Sequence, residues 1–241
     1  AEAEAVANTP LAETDGGSNE TEVEPATPDT GTVDPFRDFS AEVLNAIEEQ
    51  SDERITAKTC RHRIAEAFTY HHDFVFPEEE VRGWREALYV YNPDDGIYER
   101  RGERFVEKHL ERTAGAWVNN TRKNEIVAKI KRRTIARGER FRTDPERLVV
   151  ANGILDLHTG TLDEFTPVEY HRTKLDVAWN PDAGDPTAVD EFLHDIVDDS
   201  DVPTLYRLIS HTLYKEYIAE KAAILIGSGQ NGKSVFLDFI E

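Results

Sequence analysis

Methionine is absent from all 241 residues, even from position 1, so the sequence reads as a piece cut from a longer protein at both ends. A single cysteine, Cys60, excludes an internal disulfide and any zinc site built from several thiolates. No apolar run approaches the ~20 residues of a membrane-spanning helix, and no secretory signal pattern opens the chain. The expected compartment is the cytoplasm, with no membrane partner. Base is scarce as well: 28 lysines and arginines face 48 acids, a net charge of −20, and only nine of those bases are lysine. Such acidity ordinarily argues against nucleic acid. Acids spread over nearly every loop, with little lysine, also resemble adaptation to molar salt. On a halophile's surface acid is background, and clusters of base carry the information.

The deficit is uneven. Residues 1–54 hold 15 acids against Arg37 and Arg54, and residues 1–34 hold nine acids and no base. The first 36 residues carry almost no large apolar side chains and cannot bury enough surface to offset chain entropy. They read as a disordered acidic tether.

Beyond the tether, periodicity predicts helices. Ser40 is placed to cap one that carries Val43, Leu44 and Ile47, and a second spans Ala57–His71 with Ile64, Ala67 and Phe68 on one face. Cys60, His62, His71 and His72 match no tight zinc spacing and read as part of a helix with solvent-facing histidines. Ala87–Tyr91 reads as a strand, Asn92–Gly96 as a turn and Ile97-Tyr98 as the return. Arg104–Trp117 reads as a helix with Phe105, Val106, His109 and Leu110 inward.

Residues 121–142 hold nine bases and two acids, the strongest basic cluster in the chain. Ile126, Val127, Ile130 and Ile135 are expected inward, leaving Arg122, Lys123, Lys129, Lys131, Arg132 and Arg133 as candidate contacts to DNA phosphates. The competing reading is a solvated face paired with neighbouring acids. Asn152-Gly153 between Leu148–Ala151 and Ile154–Leu157 spells a hairpin, His158–Gly160 a further turn and Lys174–Trp179 another strand. Asn180–Pro186 breaks the pattern. Helices follow from Thr187, burying Val189, Phe192, Leu193 and Ile196, and over Val202–Tyr217, with Pro203 in its first turn. The acids of Asp198–Asp201 read as ordinary loop acids.

The chain is organised around Gly227-Ser-Gly-Gln-Asn-Gly-Lys-Ser234, which fits G-x-x-x-x-G-K-[ST]. Ala222–Ile226 before it reads as a short buried strand, and Val235–Glu241 after it as the opening of a helix. Gly227, Ser228, Gly229, Gln230, Asn231 and Gly232 would turn backbone N–H groups toward one phosphate of ATP. Lys233 would reach the β/γ-phosphates, and the Ser234 hydroxyl would join the shell of Mg²⁺. These two are the candidate catalytic residues, and Ser234 is the one candidate metal ligand.

The order of these pieces resembles the phage/plasmid primase family: the Asn152–Leu157 hairpin, Trp179–Pro186, the Phe192-Leu193 helix, a second helix, then Ile224–Ser234. The resemblance covers roughly residues 60–241 and implies a poxvirus-type primase–helicase N-terminal domain followed by the start of a superfamily 3 helicase, of haloarchaeal source. The implied fold class is α/β: an α+β domain and then the truncated start of a P-loop, AAA+-like domain. The implied domains are the tether 1–36, a helicase-associated DNA-binding or assembly domain 37–180, and the start of the ATPase 181–241. The family further implies a hexameric homo-oligomeric ring on single-stranded DNA, with the Walker B acid and arginine finger lying past Glu241. Two readings follow: part of an ATP-hydrolysing replicative helicase of a plasmid, virus or provirus, or a truncated, non-catalytic DNA-binding or assembly module. A small-molecule kinase fits poorly, because its P-loop usually stands near the start of the domain.

Overall fold

A computed structural model describes residues 35–81, 83–216, 222–229 and 231–240. The tether therefore lies, through residue 34, outside the described residues, and so do Tyr217, Gln230 and Glu241. The described residues fall in one compact unit, 34–241.

Helix α1 (Pro35–Ser51) starts ahead of Ser40, whose hydroxyl meets Thr113 Oγ1 at 3.4 Å instead of capping. Phe39 and Val43 are fully buried while Leu44 is half exposed. Adjacent residues stand about 100° apart on a helix, so Val43 and Leu44 cannot share the buried stripe equally. Helix α2 (Ala57–His71) has the expected limits. The Thr59 amide donates to Thr56 Oγ1 at 3.1 Å, a side-chain N-cap, and Cys60, Ile64, Ala67 and Phe68 form the buried face. His72, expected in solvent, instead lies among Phe39, Phe68, Phe74 and Phe105. Burial pushes its imidazole down to about 4.

Helices α1 and α2 pack with α3 (Gly102–Ala114) and α4 (Asn120–Arg133) around Ile64, Phe68, Val106, Leu110, Ile126 and Ile130. The helix expected over Arg104–Trp117 stops at Ala114, and Gly115–Trp117 tightens into a 3₁₀ turn.

A four-stranded sheet lies beside these helices in the order β3-β2-β1-β4. Strands β2 (Tyr89–Asn92) and β3 (Ile97–Glu99) form the expected antiparallel hairpin, closed by Gly96 at φ +68°. Strand β1 (Phe74–Pro77) had no signal of its own, yet it pairs antiparallel with β2 and parallel with β4 (Ile135–Ala136). That pairing overturns one expectation. Strand residues alternate between faces, so Ala136 is buried and Ile135 is 46 % exposed.

The second sheet is β5 (Arg147–Val150), β6 (Gly153–Asp156) and β7 (Leu162–Asp163), with the Asn152-Gly153 turn where expected. Residues 174–179 form no strand; Leu175 N donates to Val149 O of β5 at 2.9 Å, Ala151 N to Val177 O at 3.0 Å, and Lys174 pairs with Asp95 at 2.6 Å. Helices α5 (Thr187–Ile196), α6 (Val202–Leu213) and α7 (Lys233–Ile240) gather around Leu193, Val202, Leu205 and Phe236.

Ala222–Ile226 is not the buried strand its composition predicts. No strand is assigned there, and Ile224 and Ile226 are 81 % and 90 % exposed. A strand needs a neighbour to take its backbone N–H and C=O groups, and among the described residues no strand pairs with this segment.

Candidate functional site

The glycine-rich loop enters α7 at Lys233, two residues before the expected start. Gly232 stands at φ +78°, and a Cβ built there would come within 2.3 Å of Ile196 Cγ2. Glycine alone serves both the left-handed turn and the close approach of α5. A Cβ on Gly227 would fall 1.8 Å from Asn231 Nδ2 and 2.9 Å from Lys233 Nζ. The Lys233 ammonium donates to Asn231 Oδ1 at 2.5 Å. This gives Asn231 a task that its sequence position did not reveal: it holds the lysine over the loop. A cavity of 140 Å³ beneath is lined by Asn231, Lys233, Ile196, Leu225 and Phe236 among others. Ser228, Gly229 and Ser234 are exposed.

These features fit a triphosphate. At Gly227 the loop comes within contact of its own lysine, Gly232 holds a left-handed turn, and the N-terminal amides of a helix follow. The exposed Ser234 hydroxyl would offer one oxygen to a hard cation such as Mg²⁺. Among the described residues no group of three or more His, Cys, Asp or Glu side chains is placed to hold a metal ion.

The basic helix α4 is built as its pattern predicts. Asn119 Oδ1 accepts from the Arg122 amide at 2.9 Å, and Ile126, Val127 and Ile130 are buried. Four of its six candidate cations have partners. Arg122 donates to the Trp117 carbonyl and lies over that ring at 4.7 Å. Lys123 meets Glu107 at 2.7 Å, Lys131 meets Glu103 at 2.6 Å, and Arg133 meets Glu66 at 3.2 Å. Lys129 and Arg132 make no ion pair among the described residues. Farther along, Arg137 pairs with Glu78 at 3.2 Å, whereas Arg140 and Arg142 are exposed and unpaired among the described residues.

A polar knot that no sequence signal marked joins four distant positions. Arg147 donates to Glu169 at 2.9 and 3.3 Å and to Asp163 at 2.6 Å, and these carboxylates hold its guanidinium charged still more firmly. His171 is 3 % exposed. Its Nε2 lies 3.0 Å from Glu169 Oε2, and its Nδ1 lies 2.9 Å from Lys215 Nζ. Lys215 also donates to the Arg147 carbonyl at 2.6 Å. An ammonium on Nδ1 requires that nitrogen to accept, so the ring is neutral, with its proton on Nε2 facing Glu169. Burial and the neighbouring Lys215 push His171 down to about 4, and burial lowers Lys215 to about 8. The knot pins the segment after α6 onto β5. Residues 147, 169, 171 and 215 share no periodicity, so only folding brings them together.

A family model described as "D5 N terminal like" matches residues 42–198, from within α1 to just beyond α5. No curated protein matches the chain.

Proposed function

Because the chain belongs to the D5 N terminal like family, which is associated with primase–helicase proteins, we propose that it serves in an ATP-dependent replicative DNA helicase of a plasmid, virus or provirus. ATP with Mg²⁺ is the cofactor of this reading and single-stranded DNA its partner. A homo-oligomeric, hexameric ring in the cytoplasm is its working form.

The observation that carries the reading is the Gly227–Ser234 loop: a glycine-only close turn at Gly232, Lys233 held over it by Asn231, and α7 beginning at that lysine. In a motor of this class catalysis is electrostatic, and the protein positions charge around the transferring phosphoryl group. Lys233 would exchange its bond to Asn231 for phosphate oxygens and offset their charge. The Ser234 hydroxyl would take one position on the Mg²⁺ that accompanies ATP. The α7 amides would donate to the phosphates without reorganising.

Titration with a fluorescent ATP analogue and Mg²⁺ tests this. Saturable binding is expected, weakened about tenfold or more by Lys233→Ala, the loss of one charge-assisted contact. An unsubstituted protein that binds no nucleotide would overturn the ATP reading.

A further inference from the structure

Three cavities adjoin one another on the α+β part of the molecule. The first, of 370 Å³, is lined by Arg172 and Lys215 with Trp84, Phe141 and Tyr170. A second, of 290 Å³, shares Thr143 and Tyr170 with it and adds Arg140 and Arg142. A third, of 460 Å³, shares Arg172 and adds Arg85 and Arg100. We propose that this run of cavities is a track for single-stranded nucleic acid, in which Arg85, Arg100, Arg140, Arg142, Arg172 and Lys215 meet successive phosphates and the Tyr170 ring meets a base. The proposal rests on the DNA-partner reading above and gives it a surface.

Charge is the first argument. In a chain of net −20, six cations line three adjoining hollows. Arg85, Arg100, Arg140 and Arg142 are exposed and make no ion pair among the described residues, unlike most cations of α4. Four acids line the same hollows: Glu169 is engaged by Arg147 and His171 and Glu99 by Arg101 and Asn92, while Asp144 and Glu216 are exposed. Asp144 accepts the Glu146 amide at 3.0 Å.

Shape and preorganisation are the second argument. Arg172 is held by a bond to the Gly83 carbonyl at 2.8 Å and lies 5.1 Å from the Trp84 ring centroid. Tyr170 stands at φ +35°, a left-handed backbone that a bulky aromatic rarely adopts. Strain of this kind persists where the surroundings impose it, and it collects at ligand sites. Here it sets the Tyr170 ring on the wall common to two cavities, stacked on Tyr98 at 5.3 Å. Trp84 and Phe141 are buried and back this wall from within the core, so a line of cations beside the Tyr170 ring is what the track offers to a single strand.

The test is fluorescence anisotropy of labelled oligo-dT on a Lys233→Ala background, which weakens nucleotide binding at the glycine-rich loop, in buffer without nucleotide. The variants are the exposed pairs Arg85→Glu/Arg100→Glu and Arg140→Glu/Arg142→Glu, each checked for fold by circular dichroism. Each pair is expected to weaken binding about tenfold or more and to reduce the salt slope by about 1.4, two phosphates at ~0.7 each. Inorganic phosphate and dTMP compete in parallel titrations. Weak competition supports a polynucleotide track, and competition as strong as that of the oligomer would make this a free-phosphate pocket and overturn it. Undiminished binding by both pairs, with loss only in Lys129→Glu/Arg132→Glu, would overturn the track and leave the DNA reading standing on α4. No DNA binding by the unreversed protein would overturn both.

Discussion

His171 gives the fold an acid-sensitive point. Its ring is neutral because burial disfavours charge and Lys215 occupies Nδ1, so its native value lies near 4 against an ordinary 6.5. Between those two values the unfolded chain binds a proton that the fold refuses. Stability from this residue is therefore complete above about pH 6.5 and is lost as pH falls toward 4. The span corresponds to roughly 3 kcal/mol. His72, lowered to about 4 by burial, acts in the same direction. Urea midpoints at pH 7, 5.5 and 4.5 should fall steadily. His171→Gln should show a shallower fall, and an unchanged slope would refute the assignment. Gly232 is the second residue with a sharp expectation. Alanine there must hold φ +78° and displace Ile196, at a cost of about 1–3 kcal/mol, seen as a lower melting temperature together with weaker nucleotide binding.

Among the elements, α4 separates burial from charge. Ile130 is fully buried at the centre of the helical core, so Ile130→Ala should lower unfolding free energy by about 2–5 kcal/mol. Lys131 meets Glu103 at 2.6 Å, but the carboxylate is more than half exposed, and solvent screening limits Lys131→Ala to about 1 kcal/mol at most. Chemical denaturation of the two variants should rank them in that order by a wide margin. The same contrast explains what was legible. The limits of α2 followed from an apolar stripe, a local property; the Thr56 cap that fixes its start was seen only in the structure. Strand β1 did not show itself, because Phe74–Pro77 is too short for a period and owes its strand character to β2 and β4 on either side. Ala222–Ile226 failed the opposite way: its β-branched, apolar composition suits a strand, but composition cannot supply the partner that a ladder requires.

At the scale of the molecule, the packing is unequal. Helices α1–α4 share a core with many fully buried side chains, whereas α5–α7 close around Leu193, Val202, Leu205 and Phe236 and leave Val235, Leu237 and Phe239 about half exposed. Local opening follows contact density. Amide hydrogen exchange should therefore be fastest, among the helices, in α7 and slowest in α2 and α4, and equal protection across them would contradict this account. The sequence by itself determined the helices with clean stripes, the two turn-centred hairpins and the glycine-lysine loop. Each depends on residues a few positions apart. The basic run 121–142 was also visible, but its meaning was not: four cations of α4 have partners, while Arg140 and Arg142 face cavities shared with other segments. Only the tertiary structure decided the Arg147–Glu169–His171–Lys215 knot and the line of Arg85, Arg100, Arg172 and Lys215 beside those arginines. Charges and rings scattered over more than a hundred residues carry no local period, and it takes the packing of both sheets and the segment after α6 to set them along one groove.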